Sequence, residues 1–527
     1  MGRRVRVRDQ GIGSWIRRRA RKTPHRCAVV HRDLRYTYAQ WDERTTRLAH
    51  HLRGLGVRRG DRVGFLGANH PALLETLFAA GQLGAVLVPL NTRLAAPELR
   101  HCLTDSGTSL LVHAPAFDAF ARDCPVGRTV PVDDTYEDAL ARADGTPLDE
   151  SVSRDDNAVI MYTSGTTGRA KGVVLSHGNI TWNSVNVLVD ADLASDEVTL
   201  LSAPLFHTAA LNMTCLPVLL KGGTLVLEES FSPTRTLDLI EEHGVTLMFG
   251  VPAMFQQIAA AERFDAADLS SVRTMLCGGA PVPPALIRLY KDRGLRFLQG
   301  YGLTEASPGV CLLDAENALT KAGSAGLPHF FNDIRIVDRA GDDVERGERG
   351  ELLVEGPTVT SGYWGPSEEN EAAFADGWLH SGDVVTQDED GYVTVVDRAK
   401  DMIISGGENI SPVEVEKALF EHPAVADCAV IGVPDATWGE VGCAVIVRTP
   451  GAGATGEEIL AFLDGRLARY KIPHAVVLTD ALPRNSTGKV AKHRLREICA
   501  TTAPPRPGAA PNTGRAVEPD DPGGPAR

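Results

Sequence analysis

The chain has 527 residues, and 54 Lys and Arg against 68 Asp and Glu give a formal net charge of −14. That length exceeds what one hydrophobic core serves, so at least two domains are predicted; the acidic balance argues against general nucleic-acid binding. No apolar run reaches bilayer length, and the nine scattered cysteines predict free thiols in a reducing cytoplasm, with neither zinc nor a disulfide framework.

In chain order, the amino terminus is rich in arginine (Arg3, Arg4, Arg6, Arg8) but has no apolar h-region, so it is not a secretory signal. Residues 1–11 are expected to be a disordered leader, and Trp15 to Arg26 reads as the first helix. Residues 35–115 alternate helical periodicity with short Val/Leu/Ala runs, a βα rhythm that predicts parallel sheets flanked by helices. The rhythm returns at Gly223-Thr-Leu-Val-Leu, Val245-Thr-Leu-Met-Phe and Arg273-Thr-Met-Leu-Cys. Residues 333–400 instead hold strands separated by Asp/Gly turns, an antiparallel segment. Beyond Asp401 lies an α+β stretch of its own, and the Pro/Gly/Ala-rich residues 500–527 lack periodicity and are expected to be disordered.

The densest chemistry follows the apolar run Ala158 to Met161: Thr163, Ser164, Gly165, Thr166, Thr167, Gly168 and Lys171 fall within nine positions. Glycines turn backbone N–H groups inward, hydroxyls add donors and the lysine adds a compact charge, which together cradle a polyphosphate. Ala170 and Gly172 flank the lysine, so this is not a Walker A loop.

The run resembles the signature loop of the adenylate-forming superfamily, which comprises AMP-dependent acyl- and aryl-CoA synthetases, peptide-synthetase adenylation domains and firefly-type luciferases. Further motifs of that superfamily follow in the same order over roughly residues 12 to 497. The resemblance implies an α/β fold: a large N-terminal domain (1–397) of parallel-type sheets with a β-barrel-like segment, a hinge (398–401) and a small mobile α+β domain (402–499). It also implies ATP, Mg²⁺ and CoA as reactants. A carboxylate is a poor electrophile, and bringing it to an ATP α-phosphate sets like charges together, so cations and oriented dipoles are needed there.

By the same resemblance Gln299-Gly-Tyr-Gly-Leu-Thr-Glu305 is a nucleotide motif. Tyr301 would pack on adenine, Thr304 would bond the α-phosphate, Gly302 would border the acid, and Glu305, with Thr167, would hold Mg²⁺. Gly278, Gly279 and Ala280 would line adenine; Asp383, in Ser381-Gly-Asp383, and Arg398 would hold the ribose. Lys400 falls at the hinge, and Lys489 would bridge the acid carboxylate and the α-phosphate. Gly406 and Gly407 open a loop reaching Pro412 that would admit pantetheine, with Trp438 beside it.

Ala203-Pro-Leu-Phe-His-Thr resembles the acyl-CoA synthetase form of the substrate motif, with His207 beside the carboxylate and Phe249 as an apolar wall. An amino-acid substrate is disfavoured, since nothing here would neutralise its ammonium. The acid is expected to be aromatic, cinnamate-like or a medium-chain fatty acid, and the acceptor CoA. A carrier protein in trans or an amine remains open as acceptor, as does a monomer or a homodimer.

Overall fold

The computed structural model describes residues 9–148, 150–163, 169–280, 282–365, 368–398, 402–483, 490 and 492–502. Two sheets build most of the large domain. The six-stranded sheet runs Thr129–Pro131, Thr108–His113, Arg62–Leu66, Val86–Leu90, Asn157–Thr163 and Lys171–Ser176. Its neighbours are parallel except the last two, which form an antiparallel pair with Thr163 opposite Lys171. The strands on either side of the glycine-rich run are therefore paired at a sheet edge, while residues 164–168 between them lie outside the described residues.

The nine-stranded sheet has six parallel strands at its centre: Cys27–His31, Thr224–Leu227, Val198–Leu201, Leu247–Gly250, Thr274–Gly278 and Arg296–Gly302. Antiparallel strands close both edges. Helix Pro71–Leu83 is buried along its whole length, and its apolar side chains share one core with strands of both sheets. A helix apolar on every face belongs in such a sandwich and not at a surface. His70 caps it, Nδ1 accepting from Ala72 N at 3.1 Å, with Pro71 at its first position.

Residues 333–398 form the expected antiparallel sheet, including Asp333–Val337, Gly350–Glu355, Trp378–Gln387 and Val393–Arg398. The small domain carries a sheet around the long pair Val425–Asp435 and Gly439–Arg448. Its helix Pro412–Phe420 packs on that pair. No helix of the described residues is long and apolar enough to cross a membrane.

Three expectations need correction. Cys443 and Cys499 form a disulfide that ties strand Gly439–Arg448 to helix Lys492–Thr502, so the cysteines are not all free. Their separation of 56 residues carries no motif; only the packing of helix on sheet joins them. The other seven are free, and burial alone pushes the Cys311 thiol up to about 12 and Cys277 well above its ordinary value. Of the expected leader, Gln10 N donates to Val152 O at 2.8 Å and Asp9 accepts from Gly11 N, so residues 9–11 are tied to the domain; residues 1–8 lie outside the described residues. The last helix runs on to Thr502, past the expected start of the tail; residues 503–527 also lie outside the described residues.

Candidate active site

In open parallel sheets the crevice beyond the carboxyl ends of the strands is the place for a ligand, because loops diverge there and backbone donors are free. Strands Leu247–Gly250, Thr274–Gly278 and Arg296–Gly302 end together at such a crevice, a cavity of about 250 Å³. Phe249, the Gly278–Gly279 turn and the Tyr301–Glu305 run reach it from these ends. Thr163 and Lys171 enter from the antiparallel edge pair of the other sheet, Asp383 from the antiparallel sheet and Gly407 from the small domain. Residues far apart in sequence thus converge as the motif order implied.

The parts are cross-linked. Tyr301 Oη donates to Asp383 Oδ2 at 2.5 Å, which joins the expected adenine and ribose groups. Tyr363 Oη donates to Glu305 Oε1 at 2.8 Å, and Lys171 Nζ lies 5.3 Å from the centre of the same tyrosine ring. Tyr363 thereby orients the carboxylate and offers its ring face to the lysine. Gly302 must be glycine: a Cβ there would stand 1.7 Å from the backbone oxygen of Pro308.

No group of three or more His, Cys, Asp or Glu able to hold a metal occurs among the described residues. A single oriented carboxylate suits Mg²⁺ of the kind bound by one or two carboxylates plus substrate phosphates. Glu305 fits that part.

Part of the cavity lining is apolar, made by Met213, Phe249 and Leu276 beside Gly278 and Gly300. His207 lines this cavity and also a second, smaller one of about 80 Å³. There it meets the small domain: His207 Nε2 is 3.1 Å from Glu408 Oε1, and Arg93 Nη1 donates to the same oxygen at 2.7 Å. Burial would push the Glu408 carboxyl up, but His207 and Arg93 outweigh it and hold it at about 2.

Some expected residues stand apart. Ala280, Gly406 and Trp438 do not line either cavity. Gly406 instead packs under Trp438, where a Cβ would be 2.7 Å from the indole, and its N–H donates to Trp438 O at 2.9 Å. Ser164, Gly165, Thr166, Thr167, Gly168, Lys400 and Lys489 lie outside the described residues, as does the side chain of Arg398. Sequence reasoning missed Arg93, Met213, Gly300, Tyr363 and Glu408 as functional residues. Two of them left a signal: Gly300 stands inside the Gln299–Glu305 run, and Glu408 is a carboxylate directly after two glycines in a loop already expected to move.

Comparison with known proteins gives the family. The family described as AMP-binding enzyme matches residues 16–364, and the AMP-binding enzyme C-terminal domain matches residues 414–489. A feruloyl-CoA synthase from Amycolatopsis sp. is 56% identical over 490 residues, 93% of this chain and 99% of that protein. An o-succinylbenzoate CoA synthetase from Bacillus subtilis is 34% identical, with 92% of this chain and 98% of that one covered. A double mutant of that enzyme bound with its product analogue OSB-NCoA matches at a TM-score of 0.85, and its complex with the acyl-adenylate intermediate OSB-AMP at 0.70. The chain belongs to the AMP-binding enzyme family and is an AMP-forming acyl-CoA ligase, which uses ATP, Mg²⁺ and CoA to convert a carboxylic acid to its CoA thioester.

Proposed function

We propose that the acid is a hydroxycinnamic acid of the ferulic type, and that the two half-reactions use two orientations of the small domain. The observation that carries the first part is the apolar part of the cavity lining. Side chains of Met213, Phe249 and Leu276 make it, and Gly278 and Gly300 beside them carry no Cβ atoms, which suits a flat ring. The 56% identity to a feruloyl-CoA synthase supports the same choice.

In the first half-reaction Thr163 and Lys171, with the run between them, would hold the phosphates, Tyr301 and Asp383 the nucleoside, and Glu305 the Mg²⁺, which when bound would supply charge compensation at the phosphates. Lys489 brings the acid carboxylate to the α-phosphate, and pyrophosphate leaves. The small domain then turns about Lys400 and brings in the Gly406–Pro412 loop. The CoA sulfur attacks the acyl carbon, the bond to the AMP oxygen breaks, and the thiol proton passes to solvent. The docking of Glu408 on Arg93 and His207 supports assigning the present orientation to this second step, as does the closer match to the product-analogue complex.

The test is a panel of benzoic, hydroxycinnamic and C6–C12 fatty acids with ATP, with and without CoA, read by pyrophosphate release and product mass. Ferulic-type acids should give the highest kcat/KM and a CoA thioester. A fatty acid turned over more efficiently than every cinnamic acid would overturn the substrate assignment.

A further inference from the structure

The small domain rests on the large one through a second, deeper contact than Glu408. Lys471 is 3% exposed, and its Nζ donates to Glu414 Oε1 at 2.8 Å and to Glu98 Oε1 at 2.5 Å. Glu414 and Lys471 both belong to the small domain; Glu98 begins the large-domain helix Ala96–Asp105. Burial pulls the Lys471 ammonium down, but the two carboxylates outweigh it and keep it charged.

The arrangement depends on orientation. The Lys471–Glu414 pair lies inside one domain and survives any rigid rotation of it. The Lys471–Glu98 contact exists only while the domains are docked as here. Glu414 opens the helix Pro412–Phe420, directly after the loop that brings Gly407 and Asn409 into the active-site cavity. Fastening the base of that helix to Glu98 therefore fixes the height at which the loop enters. The two interdomain contacts also have crossed polarity. The large domain offers the cation Arg93 and the anion Glu98 five positions apart, and the small domain answers with Glu408 and Lys471. A small domain seated out of register would set like charges together in a place poor in water, which is costly.

We propose that Lys471 is a positioning residue for thioester formation: by bridging Glu98 to Glu414 it selects the docked orientation that places the Gly406–Pro412 loop in the site. This rests on the two-orientation reading above. A state populated less often lowers the observed rate in proportion, so losing the bridge should slow only the step that needs this orientation.

The experiment uses the full chain and the acid it accepts best. Single-turnover pyrophosphate release reports adenylate formation; conversion of the supplied acyl-adenylate with CoA reports the second step. Lys471→Met should lower the second rate about tenfold or more and leave the first within about twofold. Glu98→Gln, on the other side of the contact, keeps the oxygen that accepts from Ala95 N and so keeps its helix start. It should show the same one-sided loss, and it carries the test alone if Lys471→Met does not fold. The double variant should lose no more than Lys471→Met by itself. Equal loss in both half-reactions, no loss in the second, or additive losses would overturn the proposal. If the wild-type enzyme fails to turn over its own adenylate with CoA, the functional reading falls as well; if it succeeds and the variants match it, this inference alone falls.

Discussion

Gly300 offers the sharpest test of where the acid sits. It lies in strand Arg296–Gly302 opposite Gly278, and both line the cavity. A Cβ built on Gly300 meets only Leu312 Cδ1 at 3.9 Å and the Met213 terminal methyl at 4.0 Å, ordinary contacts that leave the backbone undisturbed. Gly300→Val should therefore fold normally while its two methyl groups enter the space assigned to the aromatic ring. Overfilling a packed apolar site costs about 1–3 kcal/mol, and at about 1.4 kcal/mol per decade the variant should lose about 5- to 150-fold in kcat/KM for ferulic acid. A benzoic acid, whose ring sits one vinyl group nearer His207, should lose less. The assay is CoA-dependent pyrophosphate release with both acids, beside a thermal unfolding curve. An unchanged curve with equal losses for the two acids, or with no loss for ferulic acid, would refute the placement of the ring over Gly300.

Four further outcomes are expected. Gly302→Ala drives a Cβ into the Pro308 carbonyl oxygen and should cost at least about 3 kcal/mol, read by urea unfolding. Tyr363→Phe removes the hydroxyl that donates to Glu305; at about 1 kcal/mol for such a bond, half-saturating Mg²⁺ in the adenylation assay should rise about fivefold. Lys489→Ala should abolish adenylate formation yet spare thioester formation from supplied adenylate, and Lys400→Pro should do the reverse because its φ is fixed. His177 is buried, accepts from Ile12 N at 3.2 Å and is held down to about 4 by desolvation. A histidine with a depressed folded value stabilises fully above its unfolded value near 6.5, and that contribution falls away as pH drops toward 4. The loss is about 3 kcal/mol, and His177→Gln should flatten urea stability over that pH window.

The large features were legible because each one rests on a local pattern. The βα rhythm marked the parallel strands, the Asp/Gly turns marked the antiparallel sheet, and Tyr301, Thr304, Glu305 and Asp383 stood in short runs that resemble a family's motifs in order, which the fold brings to one cavity. What was not legible is what the topology assembles from single residues. Tyr363 reaches Glu305 from 58 positions away, Arg93 meets Glu408 across 315 and Lys471 meets Glu98 across 373. Met213 and Gly300 line one cavity although they come from a helical segment and a strand 87 positions apart. The Cys443–Cys499 link escaped for the same reason.

That division follows from the chemistry each group performs. Holding phosphate requires several donors within a few ångströms, which one turn of chain supplies, so the residues are neighbours in sequence. Choosing between two orientations of a domain requires contacts that exist in one and vanish in the other, so at least one partner must come from the opposite body. Arg93 and Glu98 satisfy this by flanking the start of one helix, where a rigid rotation of the small domain breaks both contacts at once. On the proposed two-orientation reading, the phosphate-holding groups can therefore be neighbours in sequence, while Arg93 and Glu98 come from a segment with no motif of its own.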